Sequence, residues 1–279
     1  MKFLLKAALV AGGAAAAVKA LDTRLEVTYH TVTSPEIPQS FDGFKIVHLS
    51  DYHNDSIPDL VSQVRDEAPD LIVCTGDMAD DKGPYIQALR LVEKLQNIAP
   101  CLMVTGNHDL WRKDFDMMEN EMTMTGAKFL RNTRVFITRG QDKIAVSGID
   151  DPYVCANAKI KECITDAAKS LGEYDGFEIL LFHRANLLDE FAEFNFDLIL
   201  SGHMHGGHMR IPGIGGVASP RTSWVGGENL LFPKYFGGRF ESDNSVMIVN
   251  RGLGNPTPIP RLFNRPEMIV IELKTEKTY

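Results

Sequence analysis

A chain of 279 residues with 44% hydrophobic and 24% charged residues is ordinary for a globular protein and can bury one large core or two small ones. Its formal net charge of -8, with no long basic run, argues against a nucleic-acid groove, because phosphate backbones are bound through clustered Lys and Arg. Small phosphorylated substrates stay open, since bound metals supply local positive charge.

The chain begins with Lys2 and Lys6 ahead of an apolar run from Ala7 to Val18. That run has the length of a signal-peptide core and is short for a membrane span, though from Phe3, with Lys6 snorkelling, it would still anchor the chain. Val18-Lys19-Ala20 is an imperfect cleavage site. Residues 1–20 are therefore read as a signal or membrane-anchor segment and 21–279 as one domain, exported or membrane-associated; the alternative is an alanine-rich surface helix.

Leu25–Val32 alternates in part, as an edge strand would, with His30 facing solvent. Phe44–Ser50 is the first core strand; it contains His48, read as a packed residue, and ends in Asp51-Tyr52-His53. A helix follows over residues 58–68, started by Pro58, then a strand from Leu71 ending in Gly76-Asp77. Pro84–Gln96 is a helix with Ile86, Leu89, Val92 and Leu95 as its apolar stripe. A third strand starts at Cys101 and ends in Gly106-Asn107-His108-Asp109. Three strand–helix units predict right-handed crossovers and a largely parallel sheet, whose sites form at strand carboxyl ends.

Asp114–Met124 reads as a helix, Val135–Thr138 and Lys143–Ile149 as strands, and Ala156–Leu171 as a helix. Glu178–His183 is a buried strand ending in histidine, and Leu187–Phe194 a short helix. Phe196–Leu200 is another short strand, leading into Ser201-Gly202-His203-Met204-His205-Gly206-Gly207-His208. In extended backbone, residues two apart point to one side, so His203 and His205 can converge, as can Asp51 and His53. Neutral imidazole is a common transition-metal ligand. Residues 213–240 form a long loop, and Ser245–Asn250 and Pro266–Leu273 close the chain as strands. Of four widely spaced cysteines, Cys74 and Cys101 read as buried free thiols; the spacing argues against a disulfide framework and leaves a single bridge open.

The polar strand ends form an ordered set: Asp51-x-His53, Gly76-Asp77, Gly106-Asn107-His108-Asp109, His183 and Gly202-His203-x-His205. In this order, each behind an apolar strand, they resemble the calcineurin-like metallophosphoesterase superfamily, over about residues 42–275. The resemblance implies an α/β fold, a sandwich of two mixed β-sheets flanked by helices. Through Phe41–Asp51, Gly202–Pro212 and Asn250–Gly254 the chain looks most like the exported or membrane-associated bacterial branch.

Carried over residue by residue, the resemblance implies one metal at Asp51, His53, Asp77 and His205 and a second at Asp77, Asn107, His183 and His203, with Asp77 bridging. Mixed nitrogen and oxygen donors suit two divalent ions of Mn, Fe or Zn. The implied activity is a metal-dependent phosphohydrolase using metal-bound hydroxide, a phosphodiesterase or pyrophosphatase for a cell-envelope or lipid-linked phosphate. His108 resembles the catalytic histidine that protonates the leaving alkoxide or stabilises the transition state, and Asp80, completing Gly76-Asp77-x-x-Asp80, the residue that orients it; Asp109 is the alternative. A broad phosphomonoesterase and a non-catalytic metal- or phosphate-binding protein are the other readings. Expected partners are a small phosphorylated or lipid-linked substrate and a membrane through the N-terminal segment, not nucleic acid; oligomeric state is left open. Arg184 is read as a phosphate contact or a surface ion pair, and His208 as a polar neighbour of the site. Arg210, Arg221 and Lys234 are candidate contacts for an anion, and Trp224, Phe232, Tyr235 and Phe236 for a lipid or base.

Overall fold

The computed structural model describes residues 18–155, 159–220, 231–242 and 245–276. Residues 1–17 of the expected N-terminal segment, and Arg221 and Trp224, lie outside the described residues. In chain order the strands are β1 (Glu26–Ser34), β2 (Lys45–Leu49), β3 (Leu71–Cys74), β4 (Cys101–Met103), β5 (Lys128–Phe129), β6 (Thr133–Arg139) and β7 (Asp142–Ile149). They continue as β8 (Glu178–Arg184), β9 (Leu198–Gly202), β10 (Arg210–Ile211), β11 (Gly215–Gly216), β12 (Gly238–Glu241), β13 (Val246–Val249) and β14 (Glu267–Thr275). Helices are α1 (Leu60–Asp66), α2 (Ile86–Gln96), α3 (Asn107–Trp111), α4 (Phe115–Met124) and α5 (Ile160–Ser170). The expected helix at 187–194 is instead a 3₁₀ stretch, Ala185–Phe191.

Two six-stranded mixed sheets form, in the orders β1-β14-β2-β3-β4-β5 and β12-β13-β9-β8-β7-β6. Strands β2 to β5 run parallel, as the strand–helix spacing predicts. The antiparallel components come from β14 against β2, β6 against β7 and β12 against β13.

Side-chain alternation builds the layers. One set of strand residues, including Ile46, Val73, Val146, Leu181, Leu200 and Ile271, packs between the sheets. The opposite set on the first sheet, including Val47, Leu49 and Ile72, meets α1, α2 and α4. On the second sheet Leu180, Phe182 and Ile199 meet α5 and the 185–191 stretch. Strands buried on both faces read as unbroken apolar runs for this reason. In α2 the buried face is Ala88, Leu91, Val92 and Leu95, rotated from the expected stripe, and Ile86 is 43% exposed.

Cys74 and Cys101 are buried thiols with Sγ atoms 4.0 Å apart, and Cys155 is joined to Cys163 by a disulfide. Across the second sheet, the Arg134 guanidinium donates to the buried Glu178 carboxylate at 2.8 and 3.0 Å. Removing one partner of a buried pair strands the other charge. Arg134→Met is expected to cost about 3 kcal/mol and lower the melting temperature by roughly 5–10 °C, read by thermal unfolding. Adding Glu178→Gln should recover most of that loss; a double variant no more stable than the single one would show that the charge pairing is not the cause.

Candidate metal centre

Strands β2, β3 and β4 run parallel in one sheet and β8 and β9 in the other, so each sheet collects its carboxyl ends along one edge. The polar residues that follow these ends meet at the seam between the sheets. Asp51, His53 and His205 place donor atoms within 4.8 Å of one another, and Asp77, His183 and His203 do the same. His53 Nε2 lies 3.8 Å from Asp77 Oδ2, which joins the two sets.

The extended backbone expected for Asp-x-His and His-x-His is not what brings these groups together. Asp51, His53, Asp77, His203 and His205 have φ between 47° and 72°, in the left-handed region. Each lies beyond a strand end, in a tight turn that folds its side chain back into the seam. Such a conformation costs roughly 1–2 kcal/mol per residue, and residues held there cluster at functional sites. His183 reaches the seam differently. The β8–β9 pairing shifts register between Leu181 and Arg184, an irregularity that re-aims the histidine within the strand.

Neighbouring groups fix the donors. His183 Nδ1 donates to the Thr75 carbonyl at 2.7 Å, which leaves Nε2 facing Asp77 Oδ2 and His203 Nδ1, each at 3.2 Å. Asp51 Oδ2 accepts from the Ser50 hydroxyl at 2.6 Å and from the His203 backbone at 2.9 Å. His205 Nε2 faces His53 Nε2 at 3.3 Å and Asp51 Oδ1 at 3.4 Å. Asn107 is 1% exposed, and neither its amide nitrogen nor its amide oxygen has a hydrogen-bond partner. A buried unpaired amide is costly, and ring nitrogens that face one another across little more than 3 Å repel unless a proton lies between them. A cation between these groups removes both penalties, so the donor set fits the implied metals.

The electrostatics agree. Burial, with further lowering from Arg184 and His183 at His203 and from His53 and Arg261 at His205, holds both imidazoles well below the usual histidine range, in the neutral ligating form. Burial opposes charge on His183, but Asp77, Asp51 and Asp151 outweigh it and lift that pKa to about 10. Burial would likewise raise Asp77, yet His183, His108 and His53 keep it well below the carboxylate range. The seam thus favours bound positive charge.

His108 sits at the mouth, with its side chain 20% exposed. Its Nδ1 donates to Asp80 Oδ1 at 2.9 Å. Burial works against its charge, but Asp77, Asp80 and Asp81 raise its pKa to about 9. Asp109 is otherwise engaged: its carboxylate accepts from the backbone of Asp77 (2.8 Å), Gly106 (3.0 Å) and Ala79 (3.1 Å). Burial, then Asp77, raises its pKa to about 6.

Other candidates fall elsewhere. Arg184 forms neither a surface pair nor an open phosphate contact; it is 3% exposed and donates to Asp151 at 2.6 and 3.2 Å. Lys234 and the Tyr235 hydroxyl both bond Asp189, away from the seam. His208 stacks on His205 with centroids 5.5 Å apart. Arg210 and Phe236 line a separate groove, and Phe232 is 57% exposed. Two contributors escaped the sequence reading. Arg261 Nη2 reaches His205 Nδ1 at 3.2 Å, and Asn264 Nδ2 donates to the carbonyls of His205 (2.7 Å) and His208 (3.1 Å). Both come from a proline-rich loop with no periodicity to mark them.

A model of the calcineurin-like phosphoesterase family matches residues 44–207. The metallophosphoesterase YkuE of Bacillus subtilis is 30% identical, covering 96% of this chain and 92% of its own. The phosphodiesterase YaeI of Escherichia coli is 25% identical over 82% of each chain. A zebrafish (Danio rerio) transmembrane protein with a metallophosphoesterase domain is 27% identical, over 86% of this chain and 55% of its own.

A side chain at Gly106 would run into the backbone nitrogen and carboxylate of Asp77. Gly106→Ala is expected to lose metal on dialysis, measured by elemental analysis, while circular dichroism is unchanged. Full metal content would show that Asp77 can move aside without consequence.

Proposed function

This chain belongs to the calcineurin-like phosphoesterase family and is a metal-dependent phosphoric ester hydrolase, and we propose that it is a two-metal phosphodiesterase or pyrophosphatase acting on a cell-envelope or lipid-linked phosphate. The observation that carries this reading is the pair of converging donor sets with an unpartnered Asn107 beside them. In our assignment, Asp51, His53, Asp77 and His205 hold one ion and Asp77, Asn107, His183 and His203 the other. Mn, Fe or Zn suits these donors, which include no thiolate. Divalent ions held there supply Lewis acidity, activating water near neutral pH and offsetting phosphoryl charge.

The chain's own contribution to the reaction centres on His108. Asp80 engages Nδ1 and fixes the ring, so Nε2 is the nitrogen left to give a proton to the departing alkoxide. Asp77 and Asp81 help keep that ring protonated. Thr75, Ser50, Arg261 and Asn264 hold the ligating side chains or their turns in place, so little reorganisation is needed when substrate arrives.

Four features support the diester and envelope parts of the reading. The Escherichia coli relative is named a phosphodiesterase, and the zebrafish relative a transmembrane protein. A disulfide between Cys155 and Cys163 suits an oxidising compartment. The apolar run ahead of Lys19 suits export or tethering.

Hydrolysis of bis-p-nitrophenyl phosphate, dependent on added Mn²⁺ and abolished by chelator, is the expected result; turnover of p-nitrophenyl phosphate alone would replace it with a phosphomonoesterase. Asp77→Asn should lose metal and activity together, and retained occupancy of two ions would contradict the bridging assignment. His108→Ala should keep its metal and lose about 10²–10⁴-fold in turnover. Unchanged rates on a diester with a poor leaving group would remove His108 from its role.

A further inference from the structure

Beside the turn that carries His205 lies a second feature that the hydrolytic reading does not use. Hairpin strands β10 and β11 form one wall of a groove of about 520 Å³, and the segment entering the domain at Lys19 borders it. Its charge is unbalanced. Arg251 is neutralised by Glu26 at 2.7 Å and Glu267 at 2.6 Å. Arg265 donates to the carbonyls of Arg24 (2.8 Å) and Leu25 (2.7 Å) and lies 3.6 Å from Asp22. Lys19 and Arg210 also line the groove, and among the described residues neither has a carboxylate within 4.0 Å. Arg210 instead lies over the Phe236 ring, 5.6 Å from its centroid. It is half-buried, and burial together with Arg251 lowers its pKa against the opposing pull of Glu267 and Glu26.

The remaining lining is apolar. Ile211 is 41% and Ile214 67% exposed, and Phe263 lies alongside. Two unmatched cations beside exposed branched side chains suit a ligand that is anionic at one end and apolar at the other. A small free phosphate would leave the isoleucines wet. Lys19, which follows the apolar run Ala7–Val18 in the sequence, lines the groove.

We propose that this groove binds the headgroup of an anionic membrane lipid, with its phosphate between Arg210 and Lys19 and its first acyl carbons on Ile211 and Ile214. The proposal takes its envelope setting from the function proposed above but needs no turnover. It gives the domain a lipid contact of its own, apart from whatever the N-terminal segment provides.

The test is calorimetric titration of the full chain with dihexanoylphosphatidylglycerol below its micellar concentration. Dihexanoylphosphatidylcholine and glycerol 3-phosphate serve as controls for charge and for acyl chains. The anionic lipid is expected to bind at least about tenfold tighter than either control, the size of effect that one charge-assisted phosphate contact supports. Arg210→Glu should abolish that preference, and Ile214→Asp should weaken both lipids, with melting temperatures checked to show that each variant is folded. Equal affinity for the two lipids would overturn the proposal. So would glycerol 3-phosphate matching the anionic lipid and being lost in Arg210→Glu, which would mark a plain phosphate site. Binding that survives Arg210→Glu but vanishes in Asp77→Asn would place the lipid at the metal centre and overturn the groove. Absent diester hydrolysis in the same preparation would count against the proposed activity alone.

Discussion

Burial of the Asp77 carboxylate at the seam of the two sheets is the constraint around which the molecule is arranged. A carboxylate 1% exposed has lost its water and must be compensated by the protein. Its Oδ1 accepts from the His108 backbone at 2.8 Å, while its Oδ2 faces His183 and His53. Its own backbone nitrogen is held by Asp109, which also binds Gly106 and Ala79. One carboxylate thus ties the turn after β3 to the turn after β4. The tolerance is small: a Cβ at Gly76, where φ is 95°, would come within 2.6 Å of the Gly106 nitrogen. These turns pack backbone against backbone, and only glycine leaves room for it.

The second sheet supplies what the first cannot. Three parallel strands end in Asp51, Asp77 and Asn107 with His53 beside them, a set rich in negative charge and poor in nitrogen donors. Strands β8 and β9 bring His183, His203 and His205, whose imidazoles interleave with those carboxylates. The apolar layer between the sheets therefore does more than stabilise the fold. It sets the distance between two half-sites, so a shift in how the sheets pack would separate the donors. The left-handed turns cost backbone energy, and the packing on both sides of each sheet holds them in place.

How much of this was legible in the sequence follows from what each signal measures. Apolar runs and turn residues located β2, β3, β4, β8 and β9, because strands buried on both faces must be apolar throughout. The same signal misplaced the stripe of α2, where Ala88 rather than Ile86 faces the sheet: composition alone does not say which side of a largely apolar helix packs closest. The antiparallel insertion of β14 beside β2 is a long-range pairing with no local mark. At the site, residue types and order were readable and backbone geometry was not. Two residues spaced i and i+2 share a face in an extended strand, whereas His203 and His205 sit in left-handed backbone and enter different donor sets. Asp80 beside His108 was within reach of the spacing, whereas Arg261 and Asn264 come from a loop that offers no period.

A division of labour follows from burial. The groups assigned to the metals are nearly dry, and the turns that carry most of them are pinned by hydrogen bonds, a design suited to one unchanging task. His108, on the short helix α3, reaches the surface together with its partner Asp80, where the protonated group must meet whatever leaves. Selection among substrates must then reside outside this shell, in parts that can vary without disturbing Asp77. The β10–β11 hairpin meets that condition. It packs against the Gly206–Gly207 turn through its glycines and presents Arg210, Ile211 and Ile214 on the other side. A chain with net charge -8 that leaves two cations unmatched in one apolar groove has concentrated its capacity for anionic amphiphiles there, at a fixed position relative to the turn that carries His205.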